Sequence, residues 1–176
     1  HVEITRDIAI RFNSLYGDIF VIPEPQISED VAVIPGTDGQ KMSKSYDNTI
    51  DIFEDEKSLK KKVMKIVTDS TPVEDPKDPE KCNLFALYRL FADPDKIEKM
   101  RERYLKGGIG YGEVKKELFG LMWEYFAPFR EKRNELSRDK GEVIRILRKG
   151  AEKTRAVAVT TLKRVKEATG LAYDSK

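Results

Sequence analysis

The stretch GTDGQKMSKSYDNTI, residues 36–50, sets two glycines in four residues and then alternates two lysines with two hydroxyls. Pro35 and Gly36 through Gly39 read as a mobile turn rather than the interior of an element. Lysine is a compact point charge suited to phosphate oxygens. The serine hydroxyls can donate to the same oxygens or tie the loop to its own backbone. An arm of this kind suits negative charge that develops only as a phosphoanhydride breaks, where each well-placed donor contributes on the order of several kcal/mol. The glycines beside it would let the arm close over substrate and reopen for product. Charge pattern alone describes a solvated lysine-rich turn equally well.

Outward from this segment the syntax changes. Upstream, Ile4, Ile8, Phe12 and Leu15 fall on one face of a helix that Gly17 ends. Short β-prone runs at residues 20–22 and 31–34 follow, separated by Pro23 and Pro25, so that helix, strand and loop read as a piece of an α/β sheet. Downstream of Asp55 every periodic signal is helical. Leu59, Val63, Ile66 and Val67 share a face; residues 72–81 read as a surface linker. Leu84, Leu87, Tyr88 and Phe91 begin another helix, and residues 97–105 a short one after Pro94. A glycine-rich loop at 107–112 precedes Val114, Leu118, Met122 and Tyr125, with Pro128 kinking or dividing that helix. A short helix at Val143, Ile144 and Leu147 and a separate last one from Ala158 to Ala168, stopped at Gly170, complete the reading.

The chain has 176 residues, enough for a real core, and 36% of them are charged, which favours helices with solvated faces over a β sandwich. Net charge is only +2, which is not by itself a nucleic-acid footprint. No run approaches the length of a membrane span, and no signal-peptide core precedes the first helix. One cysteine, Cys82, cannot form an internal disulfide, and with His1 the sole histidine a Cys/His zinc site is excluded. The expectation is a soluble, cytoplasmic protein of a reducing compartment with no metal-ligating residues of its own. A helical pattern starting at His1 with no cap reads as cut from something longer.

Lys41-Met42-Ser43-Lys44-Ser45 spell the second signature of the class I aminoacyl-tRNA synthetases, and the surroundings narrow the likeness. Residues 36–50, residues 1–13 (HVEITRDIAIRFN), Tyr16-Gly17 with Pro23-Glu24, and residues 150–171 (GAEKTRAVAVTTLKRVKEATGL) together resemble the tryptophanyl-tRNA synthetases. Matches in this order extend the resemblance over essentially the whole chain.

The resemblance implies an α/β remnant of a Rossmann-type catalytic domain, residues 1–70, followed by an all-α, anticodon-binding bundle, residues 71–176, mostly helical overall. It implies a parent enzyme that joins tryptophan and ATP, with Mg²⁺, into tryptophanyl-adenylate and pyrophosphate and then charges tRNA(Trp), acting as a homodimer. Lys41 and Lys44 would be catalytic, contacting the departing phosphates with Ser43 and Ser45 assisting. Met42 would lie near the adenine, and Ala32 and Val33 would add backbone contacts to adenosine, completing the ATP-binding set. Asn48 stands where a residue anchoring the loop is expected; capping with Thr49 is the simpler role. The family's first, HIGH-like signature, the first Rossmann strands and the tryptophan pocket are absent here, so this chain alone is expected to be inactive. Two alternatives stand beside this reading: a free-standing helical tRNA-binding module, and the tyrosine-specific relative.

In the helical half, basic clusters lie at residues 57–65, at Arg130, Lys132 and Arg133, at Arg145, Arg148 and Lys149, and from Lys153 to Lys166. Such clusters are more often solvated faces than binding sites, and phosphate contacts carry no sequence information. Tyr104, Tyr111, Trp123, Tyr125 and Phe126 sit mostly at helical spacing and read as core before base-stacking partners. Trp123 reads as a core anchor, Cys82 as a small residue near a cap, Asp69-Ser70 as a helix end and His1 as an exposed terminus.

Overall fold

The computed structural model describes residues 1–27 and 33–173. The chain packs into two units, one made from the chain up to residue 28 and from 136 onward, the other from residues 29–135. The sequence boundary at 70/71 falls inside the second.

In the first unit, α1 spans Val2–Tyr16 and α7 spans Lys140–Thr169. Gly17, at φ 87°, ends α1 with its N–H on the Asn13 carbonyl. Phe12 packs against Tyr16 and Phe20 at ring separations of 4.7 and 4.8 Å, while Ile4, Ile8 and Leu15 of the same stripe are exposed. Residues 20–22 are not a strand. A strand exists only through hydrogen bonds to a neighbour, and here the Asn13 side chain takes that place. Its Oδ1 accepts from Phe20 N–H at 2.9 Å and its Nδ2 donates to the Phe20 carbonyl at 2.8 Å. The expected strand at 31–34 lies partly outside the described residues, and its described part, Val33 and Ile34, is not strand either. The only strand-like pairing among the described residues is a bridge between Pro35 and Lys41.

The two helices expected near 143–147 and 158–168 are one 30-residue helix, α7, capped by Asp139, whose side chain accepts from Glu142 N–H. Gly150 does not break it: a side chain there would meet nothing within 4 Å. A single interior glycine costs only about 1 kcal/mol of helix propensity. Gly170, at φ 72°, closes α7, and Leu171 N–H returns to the Lys166 carbonyl at 2.8 Å.

The second unit holds nearly all of the described core. Its helices are α2 (Glu56–Met64), α3 (Asn83–Tyr88), α4 (Pro94–Lys106), α5 (Tyr111–Tyr125) and the greater part of α6 (Ala127–Arg138). Asp55 caps α2 by accepting from Ser58 N–H at 3.0 Å, and Asp93 caps α4, with Pro94 supplying the pre-set φ of a first helical residue. Leu59, Val63, Ile66, Leu84, Phe85, Leu87, Met100, Tyr104, Val114, Leu118 and Met122 form one buried cluster. Each such side chain contributes roughly 1.5–3 kcal/mol by leaving water. The division at Pro128 is found as α5 gives way to α6 at Phe126.

Residues 72–81 are tied down rather than loose. Lys77 is buried, and its ammonium donates to the carbonyls of Pro72 (2.7 Å), Asp75 (3.1 Å) and Val73 (3.4 Å) and stands over the Tyr111 ring. Asp69, in the loop after α2, accepts from the Tyr111 hydroxyl at 2.7 Å. This bond and that of Thr71 hold its carboxyl below the ordinary carboxylate range, the Thr71 contact being the larger cause. No helix among the described residues is long and apolar enough to cross a membrane.

Candidate functional site

The signature loop is built around one buried amide. Asn48 is 1% exposed. Its Oδ1 accepts from Ser43 N–H at 2.8 Å; its Nδ2 donates to Asp38 Oδ1 at 2.7 Å and to the Lys41 carbonyl at 3.2 Å. Its backbone carbonyl accepts from Thr37 N–H at 2.9 Å. One side chain therefore holds the glycine turn, the first lysine and the following serine at once. The anchoring role expected of Asn48 is what the geometry places there; capping is done elsewhere, by Ser43 and Asp55.

Both glycines of the turn are sites of close approach. A Cβ on Gly36 would stand 2.3 Å from Asn48 Nδ2, and one on Gly39, at φ 84°, would stand 2.0 Å from Asn83 Nδ2. Thr37 also accepts at its carbonyl from Val67 N–H at 2.8 Å. The turn read as mobile from its glycines is seated against α3 and the exit of α2.

Within the pentapeptide, Ser43 and Ser45 share a hydroxyl–hydroxyl bond of 2.7 Å, and Ser43 Oγ accepts from Ser45 N–H at 3.3 Å. Lys44–Tyr46 form a single 3₁₀ turn, closed by Asp47 in the left-handed region at φ 50°. Met42 N–H donates to the Ile34 carbonyl at 2.8 Å, and its side chain packs against the core. Lys41 and Lys44 are exposed, and no carboxylate among the described residues pairs with either. The arrangement is a pinned loop presenting two uncommitted cations and two hydroxyls to solvent. Val33 is exposed beside it; Ala32 lies outside the described residues. The Asp38 carboxyl is held below its ordinary value, chiefly by the Asn48 amide and then by Gln40 N–H.

The basic clusters are partly neutralised by their own neighbours. Lys62 pairs with Glu54 and donates to the Thr49 carbonyl at 3.1 Å; Lys132 pairs with Glu135, Arg145 with Glu142 and Lys163 with Glu167. Tyr104 is buried, and burial pushes its hydroxyl well above the ordinary phenol range; Tyr125, by contrast, is largely exposed. Trp123 packs on the core as expected and also lines a cleft of about 550 Å³ with Phe53, Glu54, Arg130, Arg133 and Asn134. That cleft draws on segments some 70 residues apart, and no spacing rule in the sequence joins them.

The chain matches the family model of class I tRNA synthetases (W and Y) over residues 1–127. It is 49% identical over 172 residues to a tryptophan–tRNA ligase of Fusobacterium nucleatum, covering 97% of this chain and 53% of that protein. A tryptophan–tRNA ligase of Campylobacter jejuni is 50% identical over 171 residues, covering 97% and 54%. The crystal structure of Campylobacter jejuni tryptophanyl-tRNA synthetase complexed with ADP and tryptophan superposes with a TM-score of 0.78 at 50% identity, again over 97% of this chain and 54% of that one. The Mycoplasma pneumoniae enzyme, at 22% identity and a TM-score of 0.74, shares the fold. The chain thus spans about half the length of the curated relatives it matches. On sequence and fold together, it belongs to the class I tRNA synthetases of the tryptophan and tyrosine group.

Proposed function

We propose that the chain is the signature-loop and helical portion of a tryptophan–tRNA ligase. The parent enzyme drives the tryptophan carboxylate onto the α-phosphorus of ATP, breaks the α–β phosphoanhydride, releases pyrophosphate, and then moves the aminoacyl group to tRNA(Trp). The observation that carries this is the Asn48-anchored pentapeptide with Lys41 and Lys44 unpaired at its surface. Cations held on a fixed backbone act where charge develops, on the departing pyrophosphate, without reorganising at the moment of reaction. Ser43 and Ser45 add hydroxyl donors, and Val33 is assigned a backbone contact to the adenosine.

Mg²⁺ enters this reading with the nucleotide. Among the described residues no group of three His, Cys, Asp or Glu side chains is gathered to hold a metal ion. Residues 1–70 serve as the end of a Rossmann-type catalytic domain and residues 71–176 as the anticodon-binding bundle of a cytoplasmic homodimer. The tryptophan specificity is supported by the relatives, each named for tryptophan.

Pyrophosphate exchange into ATP tests the reading, run on this chain and on the chain extended to the length of its relatives. Tryptophan-dependent exchange in the extended protein alone is the expected result. Tyrosine-dependent exchange would assign the sister specificity. No exchange in either would move the helical tRNA-binding module to first place.

A further inference from the structure

The second unit carries a further cleft, of about 500 Å³, over the second half of α5. Glu117, Gly120, Leu121 and Glu124 lie three or four residues apart and so share one face of that helix. Tyr88, the last residue of α3, Lys96, in the first turn of α4, and Trp123 complete the lining. Two features of it serve nothing within the described structure. Tyr88 is 3% exposed, yet its hydroxyl has no hydrogen-bond partner among the described residues. Unlike Glu54 Oε2 and Arg130 Nη1, that oxygen is not shut off from solvent. Burial, and then the charge of Glu117, hold it above the ordinary phenol range, so it stays a neutral donor and acceptor. Gly120 is the second feature. It sits inside a 15-residue helix with no positive φ, and a side chain there would meet nothing within 4 Å. Glycine at such a position costs about 1 kcal/mol against alanine. What the bare α-carbon provides is room beside the Tyr88 hydroxyl's cleft.

The charges narrow what fits. Glu117 is engaged by Arg103 at 2.8 and 3.1 Å and Lys96 by Asp93 at 2.8 Å, whereas Glu124 has no ion pair among the described residues. The uncommitted groups are one carboxylate, which only accepts, and one phenol oxygen, which accepts as well as donates. An anion would meet two glutamates here. An unpaired carboxylate calls for positive charge, and Leu121 and Trp123 offer an apolar wall to the body that carries it. We propose that the cleft binds a small organic cation, a primary ammonium on an aromatic or alkyl body. The ammonium is shared between Glu124 and the Tyr88 oxygen, and the body lies over Gly120 against Leu121. The site shares no residue with the signature loop, and the proposal does not depend on the function read there.

Phenethylammonium is the probe; phenethyl alcohol and hydrocinnamate carry the same ring with no charge and with the opposite one. Each is titrated into the intact chain, and binding is read from the backbone amide resonances of Gly120, Leu121 and Glu124. Saturable shifts with the ammonium in the millimolar range or below, and affinity weaker by about tenfold or more for the other two, are expected. Tyr88→Phe removes one oxygen and should weaken the ammonium about threefold or more. Glu124→Gln should bring it to the level of the alcohol. Gly120→Leu fills the slot with a better helix former and should abolish binding. Equal affinity for the three probes, binding that survives Gly120→Leu, indifference to Tyr88→Phe or to Glu124→Gln, or no saturable shift would overturn the proposal. If a variant does not fold by circular dichroism, the comparison of the three probes on the unaltered chain still decides. The titration needs neither ATP nor amino acid, so its failure leaves the exchange assay untouched, and the reverse holds.

Discussion

Asn48 occupies the space that a side chain on Gly36 would need: a Cβ there would stand 2.3 Å from Nδ2 and 2.4 Å from Cγ of the amide. The two positions are therefore one device, a glycine that lets an asparagine reach three segments of the loop. Asn48→Ala strands Ser43 N–H and the Lys41 carbonyl in a part-buried site and should destabilise the second unit by about 1–3 kcal/mol. Gly36→Ala should displace the same amide and lose a similar amount. Urea denaturation read by Trp123 emission checks both, and a double variant losing no more than either single one would establish the shared mechanism.

Removing the loop cations should separate stability from chemistry. Lys41 and Lys44 are exposed and unpaired among the described residues, so alanine at either should change stability by no more than about 0.5 kcal/mol. In the extended enzyme, adenylate formation should fall by roughly 10²–10³-fold with Lys44→Ala while ATP binding changes far less. Pre-steady-state kinetics distinguishes the two. Equal losses in binding and in rate would mean the lysine serves ground-state binding.

The Asp38 contact gives the loop an acid limit. The Asn48 amide, at 2.7 Å, holds the Asp38 carboxyl below the ordinary value, which is about 3.9 in an unfolded chain. A carboxyl lowered on folding contributes fully above its unfolded value, and the contribution is lost as pH falls through the lowered one. The Ser43 and Gln40 amide resonances should therefore hold steady down to about pH 4 and then shift together. Asp38→Asn should leave that region flat.

The 72–77 loop should be sensitive at two points and tolerant at a third. Lys77→Met leaves the Asp75 carbonyl without its donor, while the Val73 and Pro72 carbonyls keep the N–H groups of Gly108 and Asp75, and should cost about 1–3 kcal/mol. Gly107, at φ 75° and ψ −176°, adopts a conformation nearly reserved for glycine, and a Cβ would meet the Glu74 carbonyl oxygen at 2.4 Å. Gly108, at φ 81°, has open space around it. Gly107→Ala should thus lower the melting temperature more than Gly108→Ala; equal effects would show that backbone strain alone governs both.

What could be read from the chain alone followed its physics. The stop at Gly17 and the Pro128 division are local chemistry and emerged where expected. Asn48 was legible because the loop that needs an anchor is contiguous with it. The strands were not, because residues such as Val21, 92% exposed, have strand-like side chains but no neighbouring strand, and Asn13 satisfies the backbone instead. Helix α7 was read in two pieces because its apolar residues thin out around Gly150, although an exposed helix needs no apolar stripe to continue there. The Glu54–Arg130 cleft is a tertiary juxtaposition, and no periodicity could announce it.

The lone thiol carries a practical consequence. Cys82 is 8% exposed, with its sulfur 3.6 Å from the Tyr104 hydroxyl, inside the cluster shared by α3, α4 and α5. A thiol reagent can reach it only when that cluster opens. Labelling of the intact chain therefore proceeds at the pace of opening rather than of the reagent whenever reclosing is slow. With a single cysteine in the chain, each modified molecule records one opening event, and the protein carries its own clock for the lifetime of its closed state.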